Sequence, residues 1–257
     1  MKSVLLRFPS AAVSDNSCFN SNDASIDLVT SGNNLIWNWT GPGSFTSIQE
    51  DISNLILEGG GVTFDGKGTM VTTEQMLLNK NRNPGYTKKN IENEVRKLLG
   101  IEKVIWLKKG LFEDKSTDGH VDCVAEYLSP GKILIQTIYE KNNPNYEILN
   151  EKDNIIKNET DASGQKLEII EMPYLPYFPK LYKGNSYVSP YTNYYIVNNA
   201  ILVPEVDPKL DHLGYKIIED IFPKRDIVPI PAFYQSINGG GPGCITQHLP
   251  KLNNEKV

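Results

Sequence analysis

Val62-Thr63-Phe64-Asp65-Gly66-Lys67-Gly68-Thr69-Met70-Val71-Thr72 is the stretch that decides the fold. Two apolar runs, Val62–Asp65 and Thr69–Thr72, are joined by Asp65-Gly66-Lys67-Gly68. Glycine supplies the positive φ that a tight hairpin needs, so the stretch predicts two antiparallel strands. Further on, Ile91, Val95, Leu98 and Leu99 recur at helical spacing, with Thr87 placed to cap the start and Gly100 to stop the end. Lys103-Val104-Ile105-Trp106-Leu107 then reads as a third strand. The unit is β-β-α-β.

The same unit returns twice. The second copy predicts a strand over Val121–Leu128, a turn at Ser129-Pro130-Gly131 and a strand over Lys132–Ile138. A helix follows with Pro144 at its first position, and Lys166–Met172 closes the copy. The third predicts Tyr194–Val197, a turn at Asn198-Asn199, Ala200–Val203, a helix from Pro208 to Phe222, and Ile227–Ile230. Copies begin about 60–70 residues apart, judged from the hydrophobic runs and turn residues. One such unit cannot bury both faces of its small sheet, so the copies are expected to pack around a shared axis in an α/β fold. The repeat domain is placed at residues 55–250. Residues 1–54, dense in Ser, Asn and Asp from Ser14 to Asn34, read as a divergent, loop-rich segment, and 251–257 as a tail.

Chemistry-bearing residues sit at equivalent places in the copies. Glu58 with Gly59-Gly60-Gly61 precedes the first, Gly119-His120-Val121-Asp122 opens the second, and Gly239-Gly240-Gly241-Pro242-Gly243-Cys244 follows the third. Rotational packing would gather them at one end of the axis. A cysteine on a glycine-rich turn, a histidine and a carboxylate two residues beyond it are the parts of a thiol-nucleophile hydrolase. Carboxylate beyond what the histidine needs suits a planar cation, which points at a guanidinium. Each residue also has a plainer reading: Cys244 as a packed thiol, His120 as a structural imidazole, Asp122 as a solvated strand residue, Glu58 as the cap of a turn. Cys123 is expected in packing and His212 in solvent. His248 is a rival base with a surface context. A metal site from Cys244, His248, His120 and Asp122 lacks close-spaced ligand pairs, so no metal and no cofactor is expected.

Composition narrows the class. The 257 residues are 39% hydrophobic and 22% charged, with a formal net charge of −5, which argues against a nucleic-acid surface. Three widely spaced cysteines (Cys18, Cys123, Cys244) offer no disulfide framework, and no run approaches membrane-spanning length. The start, Met1-Lys2-Ser3-Val4-Leu5-Leu6-Arg7, is too short an apolar stretch for a secretory signal. A cytoplasmic protein without nucleic-acid or membrane partners is expected.

Six blocks carry a family resemblance. They are Leu57-Glu58-Gly59-Gly60, Asp65-Gly66-Lys67-Gly68-Thr69, Leu77-Leu78-Asn79-Lys80-Asn81-Arg82-Asn83-Pro84, Gly100–Leu107, Thr117-Asp118-Gly119-His120-Val121-Asp122 and Cys244-Ile245-Thr246-Gln247. In this order the chain resembles the agmatine deiminases and the related bacterial-type peptidylarginine deiminases. The resemblance implies an α/β propeller (pentein) of five ββαβ units, of which three are visible here. It implies Cys244 as the nucleophile on the guanidinium carbon, His120 as the proton-transfer group, Glu58 as its support, and Asp122 as a substrate carboxylate. Asp118 and Gly241 are expected beside the substrate with Asp122. The implied substrate is a small guanidino cation, agmatine before an arginine side chain; an amidinotransferase and a non-catalytic guanidinium-binding or assembly protein are the alternatives. The family's second aspartate belongs to an upstream Arg-Asp block, which this sequence lacks, and Gly241, Pro242 and Gly243 fill the three places before Cys244 where the family has Asn-Ile-His. The chain is therefore expected to be shortened at its N-terminal side, weak as a catalyst, and prone to self-association.

Overall fold

The computed structural model describes residues 55–173, 190–206, 210–232, 235 and 241–246, together with the backbone of four earlier strands. Those strands are β1 (Ala12–Asp15), β2 (Ala24–Ser31), β3 (Asn34–Gly41) and β4 (Phe45–Gln49), paired antiparallel in the order β1-β2-β3-β4. The loop-rich reading of this segment is corrected by that sheet. Ser31 pairs with Asn34 at the β2 and β3 ends.

Three ββαβ units follow. The first comprises β5 (Val62–Phe64), β6 (Thr69–Thr73), a short helix α1 (Glu74–Leu77), α2 (Lys88–Leu99) and β7 (Lys103–Leu107). The second has β8 (Ala125–Ser129), β9 (Lys132–Thr137), α3 (Tyr146–Asn158) and β10 (Glu168–Pro173). The third has β11 (Tyr195–Ile196), β12 (Ala200–Glu205), α4 (Asp211–Ile221) and β13 (Asp226–Pro231). In every sheet the middle strand pairs antiparallel with the strand before it and parallel with the strand after the helix. The parallel registers correspond, Thr69 with Lys103, Lys132 with Glu168 and Ala200 with Asp226.

Local chemistry explains the first unit. Asp65 Oδ1 accepts from the backbone N–H of Lys67 (2.7 Å) and of Thr69 (2.8 Å), closing the turn, while Gly66 and Gly68 take φ of 70° and 97°. Thr87 and Asn90 form a reciprocal capping box on α2, and Gly100 ends it in the left-handed conformation. Ile91, Val95 and Leu98 face inward from that helix.

The middle strand β9 is buried on both faces, which is why Ile133-Leu134-Ile135 reads as an unbroken apolar run. On β9, Ile133 and Ile135 belong to a core shared with Val71, Ile105 and Leu149, whereas Leu134 belongs to a core with Ile201, Val203 and Ile218. Neighbouring units thus share cores, as the repeat requires. Polar ties cross the same seams: Tyr127 N–H donates to Thr63 Oγ1 (3.0 Å), and Gln136 Nε2 to Thr192 Oγ1 (3.0 Å).

Strand ends shift by one to four residues from the sequence reading, and three starts differ for a visible reason or lie at the edge of the described residues. Val121–Cys123 is a 3-10 turn that precedes β8, closed by Val124 N–H on the Val121 carbonyl. Pro144 stands one residue before the helix cap, because Asn143 Oδ1 and carbonyl accept from Asn145 and Tyr146 and make that stretch a turn. The third helix starts at Asp211, while Pro208 lies outside the described residues. No helix among the described residues is long and apolar enough to cross a membrane.

Candidate active site

The site is assembled from the segments that enter the first strand of each unit. Glu58 precedes a 3-10 turn, Gly59–Gly61, leading into β5; His120 precedes the matching turn leading into β8; Asn193 sits in the turn before β11. Cys244 lies on the short helix α5 (Pro242–Ile245).

Glu58 Oε2 is 2.6 Å from His120 Nε2. An ionised Glu58 there makes Nε2 the protonated nitrogen, which leaves Nδ1 as the nitrogen able to take or give a proton. His120 Nδ1 is buried and has no hydrogen-bond partner among the described residues. The histidine is fixed from behind too, since its backbone N–H donates to Asp114 Oδ2 (2.9 Å). A Cβ added at Gly60 would lie 2.6 Å from His120 Nδ1 and 2.5 Å from Asp122 Oδ2. Both groups therefore converge on one spot, and only glycine fits beneath them.

The thiol side is organised by Asn193. Its Nδ2 donates to Asp122 Oδ2 (3.0 Å) and lies 3.1 Å from Cys244 Sγ, and its Oδ1 accepts from Cys244 N–H (3.2 Å). Its backbone carbonyl accepts from Gly243 N–H (3.2 Å). Cys244 Sγ stands 3.7 Å from Asp122 Oδ2. Gly241 packs against the same amide, and a Cβ there would meet Asn193 Oδ1 at 2.8 Å.

Charge is unevenly held. Burial alone would raise the Glu58 carboxyl, but hydrogen bonds from Arg82 and His120 outweigh it and keep Glu58 below the usual carboxylate range. Asp122 goes the other way: burial pushes its carboxyl up, against the pull of His120. Its Oδ1 is buried with no nitrogen or oxygen donor among the described residues. A cation arriving at Asp122 would supply both the missing donors and the charge that restores its ionised form.

The structure therefore brings Glu58, His120, Asp122 and Cys244 together, with Gly241 against Asn193. Asp118 is engaged by Arg82 Nη1 (2.7 Å) and Asn81 Nδ2 (2.9 Å). Cys123 is packed in the core, and His212 is exposed. Gly239, Gly240, His248, Cys18 and the 251–257 tail lie outside the described residues. Among the described residues no group of three or more His, Cys, Asp and Glu side chains is arranged to hold a metal ion. Asn193 and Arg82 were not singled out by the sequence reading. Asn193 had one signal, its place before the first strand of the third unit, equivalent to that of His120.

The family model for the Porphyromonas-type peptidyl-arginine deiminases matches residues 32–250. The chain belongs to that family. The match begins inside the segment set apart as residues 1–54. An agmatine deiminase of Medicago truncatula is 37% identical over 218 residues, covering 77% of this chain and 58% of the relative. The solved agmatine deiminase of Enterococcus faecalis is similar at 30% identity and a TM-score of 0.69, over 77% of this chain and 58% of that one. The C. jejuni agmatine deiminase gives 26% and 0.63, over 74% and 54%. The fold is thus the family's α/β propeller of ββαβ units, with three units described here. The chain spans about three fifths of the length of the curated relatives it matches.

Proposed function

We propose that the site hydrolyses a guanidinium group through a covalent intermediate on Cys244. The observation that carries this reading is the convergence of Cys244 Sγ, Asp122 Oδ2 and His120 Nδ1 around Gly60 and Asn193. The Cys244 thiol passes its proton to His120 Nδ1, and the thiolate so formed adds to the guanidinium carbon while Asp122 accepts hydrogen bonds from the guanidinium N–H groups. His120 Nδ1 gives its proton to the departing nitrogen, which leaves as ammonia with cleavage of the C–N bond. A thiouronium remains on Cys244. His120 then removes a proton from water as its oxygen adds to that carbon, and the C–S bond breaks to give the ureido product and the free thiol. Glu58 orients the imidazole and balances its charge throughout. Asn193 donates toward the sulfur and holds the α5 turn in register.

Agmatine is the favoured substrate, supported by the names of the relatives and by the Asn79–Pro84 and Thr117–Asp122 blocks. Arginine within a peptide is the second reading, supported by the name of the matching family. Production of a putrescine precursor in the cytoplasm accompanies the first reading.

The test is to incubate the chain and its Cys244→Ala variant with agmatine and with an arginyl peptide, following ammonia, ureido product and the mass of the protein. We expect a thiouronium adduct confined to Cys244 and a loss of at least about 10³ in turnover in the variant, the order seen when a catalytic nucleophile is removed. Turnover near the parent level in Cys244→Ala would end the nucleophile assignment. Product from the peptide alone would move the substrate and leave the chemistry in place.

A further inference from the structure

Arg82 belongs to an Asn-rich loop after α1, and its planar head is held on four sides. Nη2 lies 2.9 Å from Glu58 Oε2 and donates to the Thr117 carbonyl at 3.0 Å. Nη1 donates to Asp118 Oδ2 at 2.7 Å and to Asn81 Oδ1 at 3.0 Å. The side chain is only 10% exposed. Two carboxylates and two neutral oxygens cradle the two terminal nitrogens, while Nε, also buried, has no partner among the described residues; the cradle is distinct from the site at Asp122. Asp118 contributes to it from a left-handed backbone with φ of 59°, a conformation that a non-glycine residue keeps only where its surroundings fix it. Glu58 Oε2 is the shared atom, taking Arg82 on one side and His120 Nε2 on the other.

We propose that Arg82 is a positioning residue: its guanidinium fills a built-in cradle that pins Glu58 onto His120 Nε2, so that Nδ1 is the nitrogen presented toward Cys244 and Asp122. This deepens the reading of His120 as the proton-transfer group and rests on it. It also gives Asp118 a place in the site, as the outer wall of the cradle, acting through Arg82. The Arg82 head has no free pair of donors for substrate, because both terminal nitrogens are occupied.

The experiment is chemical rescue with guanidinium chloride. Arg82→Ala empties the cradle and leaves four acceptors shaped for the free cation. Guanidinium at tenfold above its Kd is expected to raise the Tm of Arg82→Ala by about 3–5 °C, by mass action on the folded state. Ammonium or sodium at the same concentration is expected to do nothing, and the rise in Arg82→Ala is expected to exceed whatever rise the parent chain shows through its Asp122 site. Separately, the iodoacetamide alkylation rate of Cys244, read by peptide mass mapping, is expected to fall about tenfold in Arg82→Ala, less than the roughly 10²-fold that a 1 Å misplacement can cost, because the imidazole is shifted and not removed. The ratio of variant to parent rate, both measured in guanidinium, is expected to climb back at least halfway; taking the ratio cancels any occupation of the Asp122 site. If Arg82→Ala does not fold, Arg82→Lys serves, with near-parental Tm and a slowed alkylation rate, because one ammonium cannot fork to both carboxylates. Stabilisation equal for guanidinium and ammonium would overturn the cradle. Unchanged alkylation in a folded Arg82 variant would overturn the positioning role. Neither readout needs turnover, so failure of agmatine hydrolysis would strike the functional reading and leave this result standing.

Discussion

On the imidazole side of the site His120 is held by a chain of charges, Glu58 behind it, Arg82 behind Glu58 and Asp118 behind Arg82. On the thiol side stands a neutral side chain, Asn193, whose amide meets the sulfur, the Cys244 backbone and Asp122 at once. The two constructions suit different tasks. An imidazole that must shuttle a proton benefits from a fixed anion and a fixed tautomer. A sulfur that becomes charged and then covalently bound benefits from a neutral donor, which neither neutralises Asp122 nor competes with a cationic substrate. The charged side spreads its contacts along a chain of ions, whereas on the thiol side one amide makes three of them.

That concentration is the easiest part to break. Replacing Asn193 with Ala removes the donor to the sulfur, the acceptor for Cys244 N–H and the donor to Asp122 in a single step. We expect turnover to fall about 10²–10³-fold, as when one preorganised donor is lost from a reacting centre. Alkylation of Cys244 should slow in parallel. A loss under tenfold would mean that the α5 turn holds the thiol without the amide, and the contrast between the two sides would disappear.

Gly60 lies where the two sides meet, and it gives the next prediction. Its missing Cβ would sit 2.5 Å from Asp122 Oδ2 and 2.6 Å from His120 Nδ1, too close for either group to keep its place. Gly60→Ala should cost about 10²-fold in turnover, the scale of a displacement near 1 Å at a reacting centre. Overpacking adds about 1–3 kcal/mol of destabilisation. Gly59→Ala is the control, because nothing lies within 4 Å of the Cβ it would carry. Equal losses in both variants would attribute the effect to backbone freedom in the Gly59–Gly61 turn and take the convergence of His120 and Asp122 out of the explanation.

The contrast also explains what was legible from sequence. The hairpin at Asp65–Gly68 and the caps of α2 are closed by residues within a few positions of one another, so the local sequence contains the whole cause. The repeat was legible because middle strands such as β9, buried on both faces, cannot hide their apolar runs. Val121–Cys123 read as strand because Val-Asp-Cys-Val alternates, yet Asp114, six residues upstream and outside that alternation, takes the His120 N–H and a turn forms there. The charged participants were found because a thiol, an imidazole and a carboxylate advertise proton chemistry. Asn193 carries no charge and Arg82 lies in a loop without periodicity, so neither has a local signature; their roles arise from contacts across 51 and 24 residues of chain.

A second glutamate sharpens the comparison with the smallest expected effect. Glu58, beside Arg82, sits below the usual carboxylate range, while Glu126 on β8, with Asp122 nearby, is pushed up to about 8 by burial and by that neighbouring carboxylate, against a hydrogen bond from Thr63. A folded-state value above the unfolded one means that the folded chain keeps its proton while the unfolded chain releases it. Stability is then full below about pH 4.3, the ordinary glutamate value, and declines as pH rises toward about 8. Glu126→Gln keeps the hydrogen-bonding shape and removes the ionisation. We expect it to match the parent Tm near the acid end of that window and to exceed it at the alkaline end. Solvent still reaches part of the side chain, so the gain is set at about 1 kcal/mol, or roughly 2–4 °C for a chain of this size. Thermal unfolding of both chains across the window measures it. A gain that shrinks with rising pH would mean that Glu126 ionises in the folded state with a cation beside it, and the second carboxylate would then belong with Glu58, inside the charged side of the site.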